Sequence, residues 1–183
     1  MNIGFDLDKV FIDTPPFIPK SFIDKLYKKR DNGVLLYRIP GPIGQVVRKI
    51  THLYIFRPQI KENIDFLHVF PKDKNNLYLI SGRFKFLENK TKKIIEKYHF
   101  TEIFDDMYFN FTNEQPHFFK NRIIKKLKLD YFIDDDLSLL NYVAGDNPRT
   151  KFFWLTNHSG KAPRFPNIHA ISKLPEILNQ SIT

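Results

Sequence analysis

Two aspartates one residue apart, Asp6 and Asp8, interrupt an apolar run near the start of the sequence. Alternate residues of a strand point to the same side, so the two carboxylates face one way and Leu7 faces the other. Like charges this close raise each other's pKa unless a cation lies between them. The pair therefore indicates either a turn or helix cap built from aspartates, or a site that holds a metal ion.

A second acidic group, Asp134-Asp135-Asp136, follows the short apolar run 131–133. One carboxylate is enough to cap a helix, and three adjacent carboxylates repel one another. A hard cation with oxygen ligands removes that repulsion, and Mg²⁺ typically takes one or two carboxylates together with phosphate and water. The triplet therefore favours metal binding, and the pattern leaves open which of the three contacts the ion.

Ser81 ends the apolar run 77–80 and precedes a predicted helix over 83–98. Taken alone, a serine in this place is most simply the N-cap of that helix. In the alternative interpretation, its hydroxyl and the amides of Gly82 and Arg83 face a bound anion at the helix N-terminus. Gly82 would then let the backbone approach that anion closely.

Lys120 lies near the start of a predicted helix over 118–127, the end at which the helix dipole disfavours a cation. One interpretation is an ordinary surface lysine. The other is a cation that neutralises phosphate and screens the nearby carboxylates. Lys125 is a weaker candidate for that role because it lies further into the helix.

Short apolar segments alternate with amphipathic ones through most of the chain. This order predicts an α/β fold, with a central parallel sheet flanked by helices on both faces. Ligands of such sheets bind beyond the carboxyl ends of the strands. The predicted strands are 1–12, 77–80, a short one within 103–109, 131–133 and 151–155, and further helices are predicted over 137–143 and from about 173.

The stretch from residue 15 to residue 73 breaks this alternation. Pro15-Pro16 ends the first strand, and the segment that follows is irregular and mostly helical. Helices are predicted over 21–29, 43–55 and 60–69. This insertion is too small to be an independent domain. Its polar and aromatic candidates for substrate contact are Arg38, Arg48, Tyr54 and Arg57, although a solvated or packing role is the favoured interpretation of each.

Composition sets the remaining bounds. The chain has 183 residues, 19 phenylalanines and no cysteine, which excludes disulfides and thiolate zinc sites. No apolar run is long enough to span a bilayer and no signal peptide is evident, so we expect a cytoplasmic protein without a membrane partner. The net charge of +9 is spread over 20–30, 83–97 and 120–128, as on solvated helix faces. That spread makes a nucleic-acid partner a less favoured alternative.

The order of these features resembles the haloacid dehalogenase superfamily of phosphohydrolases. The resemblance covers residues 3–12, 77–83 and 118–136. It implies a Rossmann-like three-layer sandwich with a small helical cap inserted after the first strand. On this basis we predict a core formed by residues 1–14 and 74–183 and a cap formed by residues 15–73.

The resemblance also assigns chemical roles. Asp6 would be the nucleophile that forms an aspartyl phosphate, and Asp8 would protonate the leaving oxygen and then activate water. Ser81, Gly82 and Lys120 would hold the phosphoryl oxygens. Mg²⁺ would be held by the Asp6 side chain, the Asp8 carbonyl, Asp134 and Asp135.

Two details qualify the resemblance. Many members have glycine after the second aspartate, where this sequence has Lys9. The compact acidic motif and the short cap look most like the 5′(3′)-deoxyribonucleotidase branch. The prediction is thus a Mg²⁺-dependent phosphatase of a small phosphorylated metabolite, with nucleoside monophosphates as one candidate. The alternatives are a phosphatase of nucleic-acid ends and a phospho-acceptor or interaction module, and the oligomeric state is not predicted.

Overall fold

The computed structural model describes residues 1–15, 28–31, 34–157 and 162–179. Its main sheet has six parallel strands in the order β5-β4-β1-β6-β7-β8, and a separate pair, β2-β3, is antiparallel. The strands are β1 (Asn2–Phe5), β2 (Lys28–Asp31), β3 (Val34–Tyr37), β4 (Asn76–Ser81), β5 (Asp106–Phe109), β6 (Tyr131–Asp134), β7 (Lys151–Leu155) and β8 (Ile168–Ile171).

Helices connect the strands of the main sheet. The helices are α1 (Pro42–Thr51), α2 (Lys61–Val69), α3 (Glu88–Lys97), α4 (Pro116–Leu127), α5 (Leu137–Val143) and α6 (Glu176–Asn179). Short 3-10 helices cover Tyr54–Phe56, Lys85–Leu87 and Phe100–Glu102. None of the helices in the described part of the chain is long and apolar enough to cross a membrane.

Alternate residues of the strands enter two separate hydrophobic clusters, one on each face of the sheet. On one face, Phe5 and Ile133 pack with side chains of α2, α3 and α6. On the other face, Phe132 and Phe152 pack with α4 and α5. Continuous apolar strands are expected where both faces of a parallel sheet are covered. The predicted three-layer α/β sandwich is confirmed.

Phe11 is a centre of the first cluster. Its ring lies 5.6 Å from Phe5, 5.9 Å from Phe100 and 5.5 Å from Phe104, measured between centroids. These tilted and edge-on arrangements are the favoured geometry for aromatic pairs. The phenylalanine-rich composition is thus used to fill the space between β1 and the helices.

The predicted insertion contains strands as well as helices. The helix predicted over 21–29 is wrong at its end, because Lys28 and Lys29 belong to β2, which pairs with β3. The rest of that predicted helix lies outside the described residues. In the sequence an Asn-Gly pair separates β2 from β3, and this pair is typical of two-residue hairpin turns. That signal indicates a hairpin that the prediction of a mostly helical cap missed.

The end of the predicted insertion packs into the main core. The amide of Ile60 donates to the carbonyl of Phe11 at 2.7 Å, and Asn63 Nδ2 donates to the carbonyl of Val10 at 2.6 Å. Ile64 and Leu67 of α2 belong to the same buried cluster as β1. The domain division at residues 14 and 74 stays a prediction.

β8 was not predicted. Only Ile168 and Ile171 of its four residues are buried, with the half-exposed His169 and the exposed Ala170 between them. This pattern has neither the alternation of a half-buried strand nor the apolar run of a central one. β8 therefore joins the sheet as an edge strand, paired only to β7 in the described part of the chain.

The register of the central strands sets the positions of the acidic residues. Phe5 of β1 is opposite Leu79 of β4 and opposite Ile133 of β6. The amide of Asp6 donates to the carbonyl of Ile133 at 2.9 Å. Asp6 and Asp134 therefore emerge side by side at the carboxyl edge of the sheet.

Candidate active site

Lys120 joins the two strand-end carboxylates. Its Nζ donates to Asp6 Oδ1 and to Asp134 Oδ2, both at 2.7 Å, and all three side chains are buried. Lys120 reaches them because it lies just over one turn into α4, which packs over β4. A buried ammonium between two buried carboxylates replaces much of the stabilisation that water would give to each charge.

The ionisation of this trio follows from its burial. Burial raises the pKa of Asp6 to about 8, against the opposing effect of Lys120. Burial likewise raises the pKa of Asp134, again opposed by Lys120. For Lys120, burial lowers the pKa, but the two carboxylates more than offset this and hold it above its ordinary value. One ammonium group therefore does not fully offset the effect of burial on the two carboxylates, and without a further cation Asp6 favours its protonated form at neutral pH.

The three consecutive aspartates have different positions. Asp136 is the N-cap of α5, and its Oδ1 accepts from the amides of Ser138 and Leu139 at 3.1 and 3.4 Å. Asp134 accepts the amide of Asp136 at 2.9 Å in addition to Lys120. Asp135 has its carbonyl bound by Trp154 Nε1 at 3.1 Å.

A metal site is available among these carboxylates. One oxygen from each of Asp6, Asp134 and Asp135 lies within 4.8 Å of the others. An all-oxygen donor set of this kind suits a hard divalent cation such as Mg²⁺ or Mn²⁺. The Asp8 carboxylate is not a member of the cluster.

Asp8 is bound by two arginines instead. Arg83 Nε donates to Asp8 Oδ2 and Arg83 Nη2 to Asp8 Oδ1, both at 2.7 Å, in a bidentate pair. Arg57 Nη2 donates to the same Oδ1. Burial alone would raise the pKa of Asp8, but Arg83 and Arg57 hold it well below its ordinary value. The Asp8 side chain keeps 30% of its surface exposed, so the ionised carboxylate still reaches the pocket.

The turn that follows Asp8 has one residue with a positive φ angle. Lys9, which follows Asp8, has a φ of 64°, in the left-handed region that favours glycine. Its ammonium donates to Asp13 Oδ1 at 2.5 Å. The turn thus adopts the conformation for which glycine is suited, with a lysine in that place.

Ser81 is the last residue of β4, the strand that pairs with β1. It is fully buried, and its hydroxyl has no hydrogen-bond partner among the described residues. The predicted helix start at residue 83 is wrong. Phe84 is extended, Lys85–Leu87 form a 3-10 turn, and α3 begins only at Glu88. Ser81 is therefore not an N-cap, and the amides after it do not form a helix N-terminus.

Gly82 permits close packing at the site. A Cβ on this residue would lie 3.0 Å from Pro116 Cβ and 3.6 Å from Lys120 Cε. A larger residue would displace the start of α4 and with it the ammonium of Lys120. The absence of a side chain at Gly82 therefore helps to position Lys120.

These groups surround a pocket of about 130 Å³. Asp6, Asp8, Gly82, Lys120, Asp134 and Asp135 all line it, so the structure brings together six of the seven residues predicted for the site. Ser81 lies beneath this surface and is not among the described lining residues. Of the insertion residues named above, Arg38 and Arg48 line the pocket, and Arg57 contacts Asp8. Tyr54 instead packs under Lys97, whose Nζ lies 4.8 Å from its ring centroid.

Two contributions were missed in the sequence. The side chain of Arg83 binds Asp8, whereas the sequence predicted a role only for the backbone amide of Arg83. Tyr37 lines the pocket and donates from its hydroxyl to Asp136 Oδ2 at 2.6 Å. Burial and the neighbouring Asp136 raise the pKa of Tyr37 well above its ordinary value, so it stays a neutral donor. Neither contact has a local sequence signal, because Arg83 is 75 residues from Asp8 and Tyr37 is 99 residues from Asp136.

Comparison with known proteins places the fold. No protein-family model matches the sequence, and no curated protein matches it either. Solved structures do match over nearly the full length of the chain. A haloacid dehalogenase-like family hydrolase from Xanthomonas campestris superimposes with a TM-score of 0.63 at 13% identity, covering 98% of this chain and 94% of that one.

Two further structures agree. A haloacid dehalogenase-like family hydrolase from Streptococcus pneumoniae has a TM-score of 0.60 at 15% identity, with 98% of this chain and 97% of that chain covered. An archaeal β-phosphoglucomutase from a Pyrococcus species has a TM-score of 0.56 at 13% identity, with 97% of each chain covered. At such identities the similarity concerns the fold, and it does not support the deoxyribonucleotidase branch in particular. The chain has the fold of haloacid dehalogenase-like hydrolases, with a carboxylate and lysine cluster at the carboxyl edge of its sheet.

Proposed function

We propose that this protein is a Mg²⁺-dependent phosphomonoesterase that acts on a small phosphorylated metabolite through an aspartyl phosphate on Asp6. The observation that carries the proposal is the buried trio of Asp6, Lys120 and Asp134. It lies in a pocket at the sheet edge where α/β folds bind ligands. The fold shared with haloacid dehalogenase-like hydrolases supports a hydrolytic reaction, and the residues of the site carry the functional argument.

In the proposed reaction, a carboxylate oxygen of Asp6 attacks phosphorus and the bond from phosphorus to the leaving oxygen breaks. Water then attacks the phosphorus of the aspartyl phosphate, which releases inorganic phosphate and restores Asp6. Lys120 binds phosphoryl oxygens and supplies positive charge as negative charge develops on them. The Ser81 hydroxyl, which has no partner among the described residues, is the further donor predicted for these oxygens.

A divalent cation held by Asp6, Asp134 and Asp135 would reduce the repulsion between an anionic nucleophile and an anionic phosphate. The raised pKa values of Asp6 and Asp134 support this assignment, because a bound cation would favour the ionised carboxylates. The backbone carbonyl of Asp8 is the fourth predicted ligand.

Asp8 is proposed as the acid and base. The Asp8 carboxylate would accept the proton of the attacking water, and loosening of its bonds to Arg57 and Arg83 would make it a stronger base. To protonate the leaving oxygen it must first break its bonds to Arg57 and Arg83, because those bonds favour the ionised form. Leaving-group protonation is thus coupled to a movement of the Asp8 side chain.

Release of phosphate from p-nitrophenyl phosphate and from a panel of metabolites tests the proposal. The panel includes nucleoside monophosphates, because the compact acidic motif resembles that of nucleotidases. We expect activity with MgCl₂, loss of activity with EDTA, and no activity for Asp6→Asn.

Asp73→Asn is the matched control. Asp73 is exposed and precedes β4, at the opposite edge of the sheet, so this variant should keep full activity. Full activity in Asp6→Asn would overturn the assignment of the nucleophile. A folded wild-type protein that hydrolyses nothing in the panel with Mg²⁺ would overturn the function.

A further inference from the structure

Arg38 is fixed at the pocket by the residue before it. The amide of Tyr37 donates to Gln115 Oε1 at 2.8 Å, and Gln115 Nε2 donates back to the carbonyl of Tyr37 at 3.1 Å. The Tyr37 hydroxyl is bound to Asp136. Three hydrogen bonds therefore fasten the end of β3 to the core, and Arg38 follows directly and lines the pocket.

Arg48 reaches the same pocket from α1. The exposed surface of this helix is largely apolar, since it includes Ile43, Val46, Val47 and Ile50, with Lys49 beside them. At 3.6 residues per turn, Arg48 lies on the opposite side of the helix from these apolar residues. Its guanidinium lies 5.6 Å from the ring centroid of Phe86. The polar side of α1 is therefore the side that faces the site.

These two arginines are additional to Lys120 and Arg83, which bind the carboxylates of the site. Lys120 and Arg83 each lie 2.7 Å from carboxylates at the base of the pocket. Arg38 is exposed and has no carboxylate partner among the described residues. The insertion thus adds two positive charges to a pocket whose phosphoryl-binding cation is already supplied by the core.

We propose that the substrate carries a second anionic group, a carboxylate or a second phosphate, which Arg38 and Arg48 bind. This inference rests on the phosphomonoesterase function proposed above. Guanidinium groups pair with carboxylates and phosphates through two parallel hydrogen bonds, which gives orientation as well as attraction. A pocket of about 130 Å³ accommodates a small molecule. A substrate that is neutral beyond its phosphate would leave Arg38, which has no carboxylate partner among the described residues, without an anion to bind.

Matched substrates test the proposal. Glycerol 3-phosphate carries a hydroxymethyl group at the position where 3-phosphoglycerate carries a carboxylate. Adenosine 5′-monophosphate and adenosine 3′,5′-bisphosphate differ in a second phosphate. In at least one pair, we expect kcat/KM of the wild-type protein to be about tenfold to a hundredfold higher for the member with the additional anion. The pair that shows the preference distinguishes a carboxylate from a phosphate.

Arg38→Gln and Arg48→Gln should each lower that ratio about tenfold or more, and Arg38→Lys should restore part of it, because it keeps the charge without the planar fork. Arg149→Gln is the control. Arg149 is exposed and precedes β7, at the opposite edge of the sheet, so the ratio should not change. An equal fall for both members of a pair would show that the arginines act only through general positive potential, which would overturn the proposal.

Titration calorimetry separates this inference from the proposed function. The four compounds are titrated with Mg²⁺ into Asp6→Asn, with and without Arg38→Gln, so that no turnover is needed. Preference for the doubly anionic compounds that disappears with Arg38→Gln supports the inference even if the wild-type protein hydrolyses nothing. Hydrolysis of p-nitrophenyl phosphate without any such preference would overturn the inference and leave the phosphomonoesterase function standing.

Discussion

Replacement of Lys120 by methionine removes the charge that joins Asp6 and Asp134 while keeping a side chain of similar length. The ammonium group is buried and lies 2.7 Å from both carboxylates. In the variant, the carboxylates of Asp6 and Asp134 either stay ionised with no cation between them or take up protons. Both outcomes cost folding free energy, since a buried charge without a partner is strongly unfavourable.

The proton uptake sets the size of this loss. The ordinary pKa of an aspartate is 3.8. Keeping one such carboxyl protonated costs about 1.4 kcal/mol for each pH unit above that value, which is about 4 kcal/mol at pH 7 and about 1.6 kcal/mol at pH 5. A loss of about 3 to 4 kcal/mol at pH 7 agrees with the range for breaking a buried ion pair. The loss should shrink as pH falls, because protons then neutralise the carboxylates.

Thermal unfolding followed by circular dichroism measures the loss. At pH 7 without metal, the midpoint of Lys120→Met should lie about 6 to 16 °C below that of the wild-type protein. The difference should be smaller at pH 5, and MgCl₂ at pH 7 should reduce it. Phosphatase activity should fall by about two to three orders of magnitude.

Lys125→Met is the control on the same helix. Its ammonium is about half exposed and lies 3.3 Å from an exposed carboxylate, so its loss should change stability by less than about 0.5 kcal/mol. If Lys120→Met unfolds at the wild-type midpoint at pH 7, or if its deficit grows as pH falls, the electrostatic account of the trio is refuted.

Three other substitutions probe the frame around the site. Gly4→Ala should destabilise the protein by about 1 to 3 kcal/mol in urea unfolding, because its Cβ would lie 2.6 Å from Leu129 Cδ1 in the core. Phe11→Ala should cost about 3 to 5 kcal/mol in the same assay, since the ring is fully buried among aromatic neighbours. Tyr37→Phe leaves Asp136 without a 2.6 Å hydrogen bond, so we expect a loss of about 1 kcal/mol. A change below 0.3 kcal/mol in any of these would contradict the packing or bonding assigned to it.

The sequence predicts the parts of the fold that have strong local signals. The bounds of α5 and β7 agree with the structure at both ends, since Asp136 caps one element and a buried apolar run forms the other. The meeting of Asp6 and Asp134 is predictable because neighbouring parallel strands present their carboxyl ends at one edge. These inferences need only strand direction and a buried pattern.

The contacts of Asp8 are not predictable in this way. Arg57 is 49 residues and Arg83 is 75 residues away in sequence, and the pairing depends on where a 3-10 turn and the insertion lie. The shift of α3 to Glu88 has a similar cause. Phe84 and Leu87 are buried, and this packing overrides the helical propensity of the basic segment around them.

The central place of β1 has a consequence for folding. β1 comes first in the chain, yet it is paired on one side with β4 and on the other with β6, so Ile3 lies opposite both Leu77 and Tyr131. Until both later strands have been synthesised, one edge of this apolar strand lacks its native partner. Closing these long loops is slow, and an exposed apolar edge invites association with other chains. We therefore expect the nascent chain to depend on chaperones until β6 has left the ribosome.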